Sequence, residues 1–87
     1  SVVFCSSVAA NLGLANHEAI AAAKAGLIGL ARAAAATHLR RRIRFHCVAP
    51  ALVDSRMTAS LLERAGMRDA AAKQNPSGRI GTPDDVA

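Results

Sequence analysis

With 87 residues the chain is shorter than most single domains, which centre on roughly 100 to 150 residues, and two Phe with neither Trp nor Tyr leave few large side chains for a core. Two cysteines without a CxxC pair or a His-rich spacing exclude a disulfide scaffold and give no metal site. The net charge of +5 is concentrated in Arg40, Arg41, Arg42 and Arg44 behind a helical stretch, where cations complement the negative end of the helix dipole; no aromatic residue interleaves to stack on bases, which argues against a nucleic-acid partner.

In chain order, Ser1 to Cys5 is a continuous apolar, β-branched and aromatic run, which predicts a strand covered on both faces of a parallel sheet. Ser6 and Ser7 close it. Residues 8–15, with Gly13 and no clear period, predict a loop at the carboxyl end of that strand, the end where ligands bind in open α/β sheets. Asn16 is the predicted N-cap of a long helix, with the carboxylate of Glu18 in its first turn.

From there to about Leu39 nearly every residue is a strong helix former, and the apolar surface runs almost around the cylinder. Lys24 and Arg32 interrupt it too often for a membrane span. Gly26 and Gly29 each cost about 1 kcal/mol of helix propensity relative to Ala, which predicts a closely packed neighbouring helix, drawn from another subunit.

Ile43 to Val48 predicts a second strand, ended by Pro50, so that strand, helix and strand form one βαβ crossover with parallel strands. The fold class is therefore α/β. Cys5 and Cys47 lie in the two strand-like runs and are expected as buried, reduced thiols, as in a cytoplasmic protein. Residues 51–56 form a loop, 57–73 resume helical composition with a break near Gly66, and 75–78 form a turn. Thr82-Pro83-Asp84-Asp85 then has the order of a helix start: cap, proline at the first position, carboxylates in the first turn. Opening on a strand and stopping inside a helix signal, residues 1–87 read as part of one larger domain.

Five landmarks together resemble the short-chain dehydrogenase/reductase family: Ser6-Ser7 after an apolar strand; Lys24-Ala25-Gly26 in a long helix; residues 43–50; Val53-Asp54-Ser55 followed by Met57-Thr58; and Gly78 to Ala87. The resemblance covers essentially the whole chain. It implies a partial Rossmann-type doubly wound parallel sheet, NAD or NADP as cofactor, and a small-molecule carbonyl or alcohol substrate. The glycine-rich phosphate loop that would separate NAD from NADP lies outside these residues.

By that resemblance Ser7 and Lys24 are catalytic, and Lys24, Pro50, Val53 and Ser55 hold the cofactor. Residues 57 to about 73 match the segment that closes over substrate, and the 17–39 helix is the expected homo-oligomer contact. Ala51 departs from the family's glycine after the proline, and His46 stands where the family often has Asn. One departure is larger. The family's tyrosine, four residues before the lysine, is Ile20 here, and isoleucine has no proton to give or take. His17 lies seven residues before Lys24, roughly on its face, and is read either as a plain helix-start histidine or as the missing proton carrier. Two functional readings follow: a working oxidoreductase, or a relative that keeps cofactor binding or subunit assembly without turnover. Both require the Ser7 hydroxyl and the Lys24 ammonium to meet at the rim where the two strands end.

Overall fold

In the computed structural model, which describes residues 1–64 and 66–87, the chain forms two units, Ser1–Pro50 and Ala51–Ala87. The first is a βαβ crossover. Strands β1 (Val2–Cys5) and β2 (Phe45–Val48) pair in parallel with Val2 opposite Phe45 and Cys5 opposite Val48. The ladder continues past both ends, with Val2 N–H donating to Arg44 O at 2.8 Å and Ser6 N–H to Val48 O at 2.7 Å. This matches part of a Rossmann-type doubly wound sheet.

Helix α1 (Glu18–Thr37) joins the strands and packs on both. Its less exposed positions, Ala21, Lys24, Leu27, Ile28, Ala31, Ala34 and Ala35, recur every three or four residues, the spacing of one helical face. Phe4 and Phe45, diagonal neighbours across the strand pair, stack with ring centroids 6.4 Å apart, and His38 leans on Phe45 at 5.7 Å. Alternation along β2 leaves Phe45 and Cys47 half-buried and His46 and Val48 exposed.

Three expectations need correction. Asn16 does not cap α1: it takes φ 61°, a left-handed conformation that Asn tolerates better than most residues, and His17 becomes the N-cap. The strands are covered on one face only, since this chain supplies one helical layer; Val3 stays 59% exposed. For the same reason the thiols are free but not buried, Cys5 exposed and Cys47 half-buried. On the outer side of α1, a Cβ placed at Gly26 or Gly29 would meet nothing within 4 Å, so no described residue is the close neighbour that those glycines predict. Leu30 is 50% exposed there. By length and mean hydropathy, 1.4, α1 could cross a membrane; here its inner face lies on the sheet and carries Lys24, bonded to β1.

In the second unit, α2 (Ala59–Leu62) and α3 (Met67–Gln74) flank Gly66, whose φ of 75° breaks the helical run where expected. A turn closes with Gly78 N–H on Asn75 O at 2.8 Å, and Val53 pairs with Gly81 in an isolated parallel bridge. The final helix α4 (Pro83–Val86) starts as predicted: Thr82 and Asp85 cap one another's backbone, and Pro83 occupies the first turn. Arg79 grips the Asp85 carboxylate with two N–H donors at 2.7 and 3.0 Å.

Two outcomes follow for the complete protein that carries this segment. Ser6, only 4% exposed, donates from Oγ to the main-chain carbonyl of Lys24 at 2.7 Å; Ser6→Ala will lower unfolding stability by about 1 kcal/mol in urea titrations. The Arg79 hydrogen bonds first, then those from Thr82, hold the Asp85 carboxyl well below its ordinary 3.8. Its contribution is therefore complete above that ordinary value and is lost as the pH falls toward the lower, folded one. Protection of the Thr82 and Asp85 amides, measured against the intrinsic exchange rate at each pH, will fall on acidification below pH 4, and Asp85→Asn will remove that pH dependence.

Candidate functional site

The carboxyl end of β1 is where the first unit gathers its polar groups. Lys24 sits on the inner stripe of α1, where an ammonium without partners would be costly to cover. Its Nζ donates to the carbonyl of Cys5, the last residue of β1, at 3.1 Å. The next residue, Ser6, donates to the carbonyl of Lys24 itself. Lys24 is thus tied through side chain and main chain to two consecutive residues of the strand end, which fixes both the height of the helix on the sheet and the position of its ammonium.

Ser7 follows in extended conformation, φ −160° and ψ 153°, and its Oγ accepts the Ala9 N–H at 3.2 Å, capping a 3-10 turn over Val8–Ala10. A hydroxyl can accept and donate together. Among the described residues the Ser7 Oγ–H has no acceptor, and two of the three Lys24 N–H donors have none. Pro50 lies two residues beyond β2, and its carbonyl accepts Val8 N–H at 3.1 Å, so the chain after β2 stays joined to the turn that Ser7 caps. Lys24 Nζ thus stands on the carbonyl that ends β1, and Ser7 Oγ stands two residues later at the start of the following turn. The donors left over suit a ligand rich in oxygen acceptors, such as a ribose diol beside a carbonyl, so the residues present fit a nicotinamide nucleotide.

Ile20 is 50% exposed and brings no polar atom. His17 is half-buried, with Nδ1 2.8 Å from the carbonyl of Ala15. His46 is exposed on β2.

Val53 and Ser55 belong to the second unit, in a loop organised by Thr58, whose part in holding the loop is not evident from the residue types. Thr58 Oγ1 donates to the carbonyl of Val53, accepts the Ser55 N–H at 3.0 Å and lies 3.3 Å from Ser55 Oγ. The Ser-x-x-Thr spacing is the available signal, since hydroxyl residues in such spacings bond the backbone locally. Asp54 is paired at the surface with Arg68 at 3.1 Å. Thr58→Val keeps the shape and removes the hydroxyl, leaving Ser55 N–H and Val53 C=O without it; amide exchange at Ser55 will speed up by the equivalent of about 1 kcal/mol, and unchanged exchange would show that the loop is held otherwise.

The family described as enoyl-(acyl carrier protein) reductase matches residues 1–87. The chain is 37% identical over 87 residues to the 3-oxoacyl-(acyl-carrier-protein) reductase FabG of Chlamydia pneumoniae, covering 100% of this chain and 34% of that protein. It is 38% identical over 87 residues to the cis-4-hydroxycyclohexanecarboxylate dehydrogenase of Sinomonas cyclohexanicum, with the same coverage. Its fold superposes with TM-score 0.90 and 27% identity on an Agrobacterium tumefaciens protein described as a 2-deoxy-D-gluconate 3-dehydrogenase and solved with bound NADP, over 98% of this chain and 35% of that one. The chain therefore spans about a third of the length of the curated relatives it matches.

Proposed function

Because the chain belongs to the short-chain dehydrogenase/reductase family, we propose that it is the catalytic-helix part of a longer, cytoplasmic NAD(P)-dependent oxidoreductase acting on a small carbonyl or alcohol substrate. The observation that carries this reading is the double tie of Lys24 to Cys5 and Ser6, beside a Ser7 hydroxyl with its proton uncommitted.

When bound, the nicotinamide cofactor supplies or takes up the hydride. The residues of this chain do the rest. Lys24, with one N–H donor on the Cys5 carbonyl, would hold the nicotinamide ribose with the two that remain. Ser7 donates its Oγ–H to the substrate oxygen and draws off electron density there. Pro50 would shape the approach to the nicotinamide; taken by itself, the second unit would offer the Val53 backbone and the Ser55 hydroxyl as groups for a carboxamide. The varied substrates of the matched relatives, a 3-oxoacyl-(acyl-carrier-protein) reductase and a cis-4-hydroxycyclohexanecarboxylate dehydrogenase, support the reaction class rather than one substrate.

A second reading rests on Ile20: a relative that binds cofactor or assembles subunits without turnover. Bare Gly26 and Gly29, with Ile20 and Leu30 half-exposed on the long helix, support homo-oligomer assembly through residues 17–39 under either reading.

Titration of the complete protein with NADH and NADPH, followed by nicotinamide fluorescence, tests what both readings share. One of the two will bind, and Lys24→Met will raise its Kd by about 10- to 100-fold, the worth of one to two charge-assisted hydrogen bonds. Binding of neither, or an unchanged Kd in Lys24→Met, contradicts the proposal.

A further inference from the structure

We propose that Thr58 is a positioning residue that fixes the polarity of the Ser55 hydroxyl, making it an acceptor that selects ligands offering an amide N–H; the inference deepens the oxidoreductase reading above and rests on it.

The hydrogens around Thr58 can be counted. A threonine hydroxyl has one hydrogen to give and two lone pairs to receive with. Four contacts converge on Thr58 Oγ1, all within the second unit: the carbonyl of Val53, the carbonyl of Ser55 at 3.3 Å, the N–H of Ser55 at 3.0 Å and the Oγ of Ser55 at 3.3 Å. Carbonyls only accept, so the single Thr58 hydrogen goes to them, and the Val53 carbonyl, the closer of the two, takes it. The Ser55 N–H fills one lone pair. In the remaining contact Thr58 can only accept, so Ser55 Oγ–H is the donor and fills the second.

The backbone holds the two hydroxyls in this arrangement. Asp54 N–H donates to Gly81 O at 2.9 Å and Gly81 N–H donates to Leu52 O at 3.2 Å, the two bonds of the Val53–Gly81 bridge. Backbone groups alternate along an extended segment, so Val53 turns its own carbonyl to the opposite edge, where Thr58 receives it. Thr58 N–H donates to the Ser55 carbonyl at 3.1 Å, which closes the turn that carries the threonine hydroxyl back over residues 53 and 55. Side chain and main chain of Thr58 thus act on the same short loop, and neither hydroxyl is placed by a contact from outside it.

The consequence falls on Ser55. With its hydrogen directed at Thr58, its hydroxyl turns lone pairs, and no hydrogen, to any ligand that approaches. Ser55 is half-buried, and among the described residues its Oγ has no partner other than Thr58. An unrestrained serine hydroxyl adapts by rotation, donating to a ketone or accepting from an amide; this one cannot donate without giving up its bond to Thr58. The loop thereby gains a preference that neither residue has alone. A ligand group with an N–H finds a partner at Ser55, whereas one that ends there in a methyl group or a carbonyl oxygen leaves the lone pairs unmatched, a mismatch that a polar site rejects. On the oxidoreductase reading that group is the carboxamide of the nicotinamide, with its NH2 on Ser55.

The test uses the complete protein, isothermal titration calorimetry, and NADH and NADPH alongside their 3-acetylpyridine analogues, in which a methyl ketone replaces the carboxamide. Unaltered protein will bind the amide cofactor about 5- to 10-fold more tightly than its analogue, the worth of one hydrogen bond. Thr58→Ser keeps the hydroxyl and will keep that ratio. Thr58→Val removes the hydroxyl, frees the Ser55 hydrogen, and will bring the two affinities to within about twofold of each other. A Thr58 that only stabilises the loop would weaken both ligands alike in the valine variant and leave their ratio intact. Neutron diffraction from the unaltered, deuterium-exchanged protein reads the polarity without any variant: the deuterium of Ser55 Oγ will lie toward Thr58 Oγ1, and that of Thr58 toward the Val53 carbonyl. An unchanged ratio in Thr58→Val, equal affinity of the unaltered protein for amide and analogue, or a Ser55 deuterium directed away from Thr58 overturns the assignment of Thr58. Failure of the unaltered protein to bind either cofactor overturns the oxidoreductase reading itself.

Discussion

Everything in the first unit turns on the way Lys24 is held. Its ammonium reaches the carbonyl of Cys5, and its own carbonyl receives the hydroxyl of Ser6. These two bonds join the second turn of a 20-residue helix to the last residue of β1 and the residue that follows it. A helix whose apolar surface runs nearly all round could slide or rotate on the sheet with little penalty, because alanine against a pleated surface offers few interlocking shapes. Polar bonds are directional, and a pair of them at one residue removes that freedom. A half-covered lysine on an alanine stripe, with its ammonium on a strand carbonyl, becomes the device that sets the register between helix and strand.

The βαβ plan was legible because each element is written in a different residue vocabulary. Val-Val-Phe-Cys and Phe-His-Cys-Val are β-branched and aromatic, while residues 18–37 are helix formers almost without exception. The start of α4 was legible too, since Thr82, Pro83 and Asp85 carry complementary signals three residues apart. Asn16 misled because the same short amide that caps helices also relieves left-handed strain, and residue type does not tell which need prevails. Ser6 and Ser7 look alike in one dimension. Only the alternation of the strand, turning Ser6 under the helix and Ser7 toward the following turn, separates a structural hydroxyl from one with its proton uncommitted.

Burial was the least legible property. β2 alternates and α1 shelters one stripe, although its apolar surface was expected to run almost around the cylinder, and the thiols, Val3, Leu30 and the glycine face of the helix remain open. Composition states how much apolar surface there is, not where its covering comes from. A two-stranded sheet with one helix has a single sheltered seam, and a segment spanning about a third of its relatives' length presents the other surfaces bare. In the second unit, order comes instead from short polar devices: the Thr58 hydroxyl in its loop, the Arg79–Asp85 grip and the Thr82 capping box. These are local in sequence, so they need little core.

The central claim is that one strand rim holds a lysine with donors to spare and a serine with a proton to give, facing a common ligand. A crystal structure of the complete protein with its nicotinamide cofactor bound would test it most directly. The account requires Lys24 Nζ within hydrogen-bond distance of the nicotinamide ribose hydroxyls and Ser7 Oγ on the same side of the ring, beside the carbon that exchanges hydride. A cofactor seated away from the end of β1, or Ser7 and Lys24 directed to opposite sides of the sheet, would contradict it.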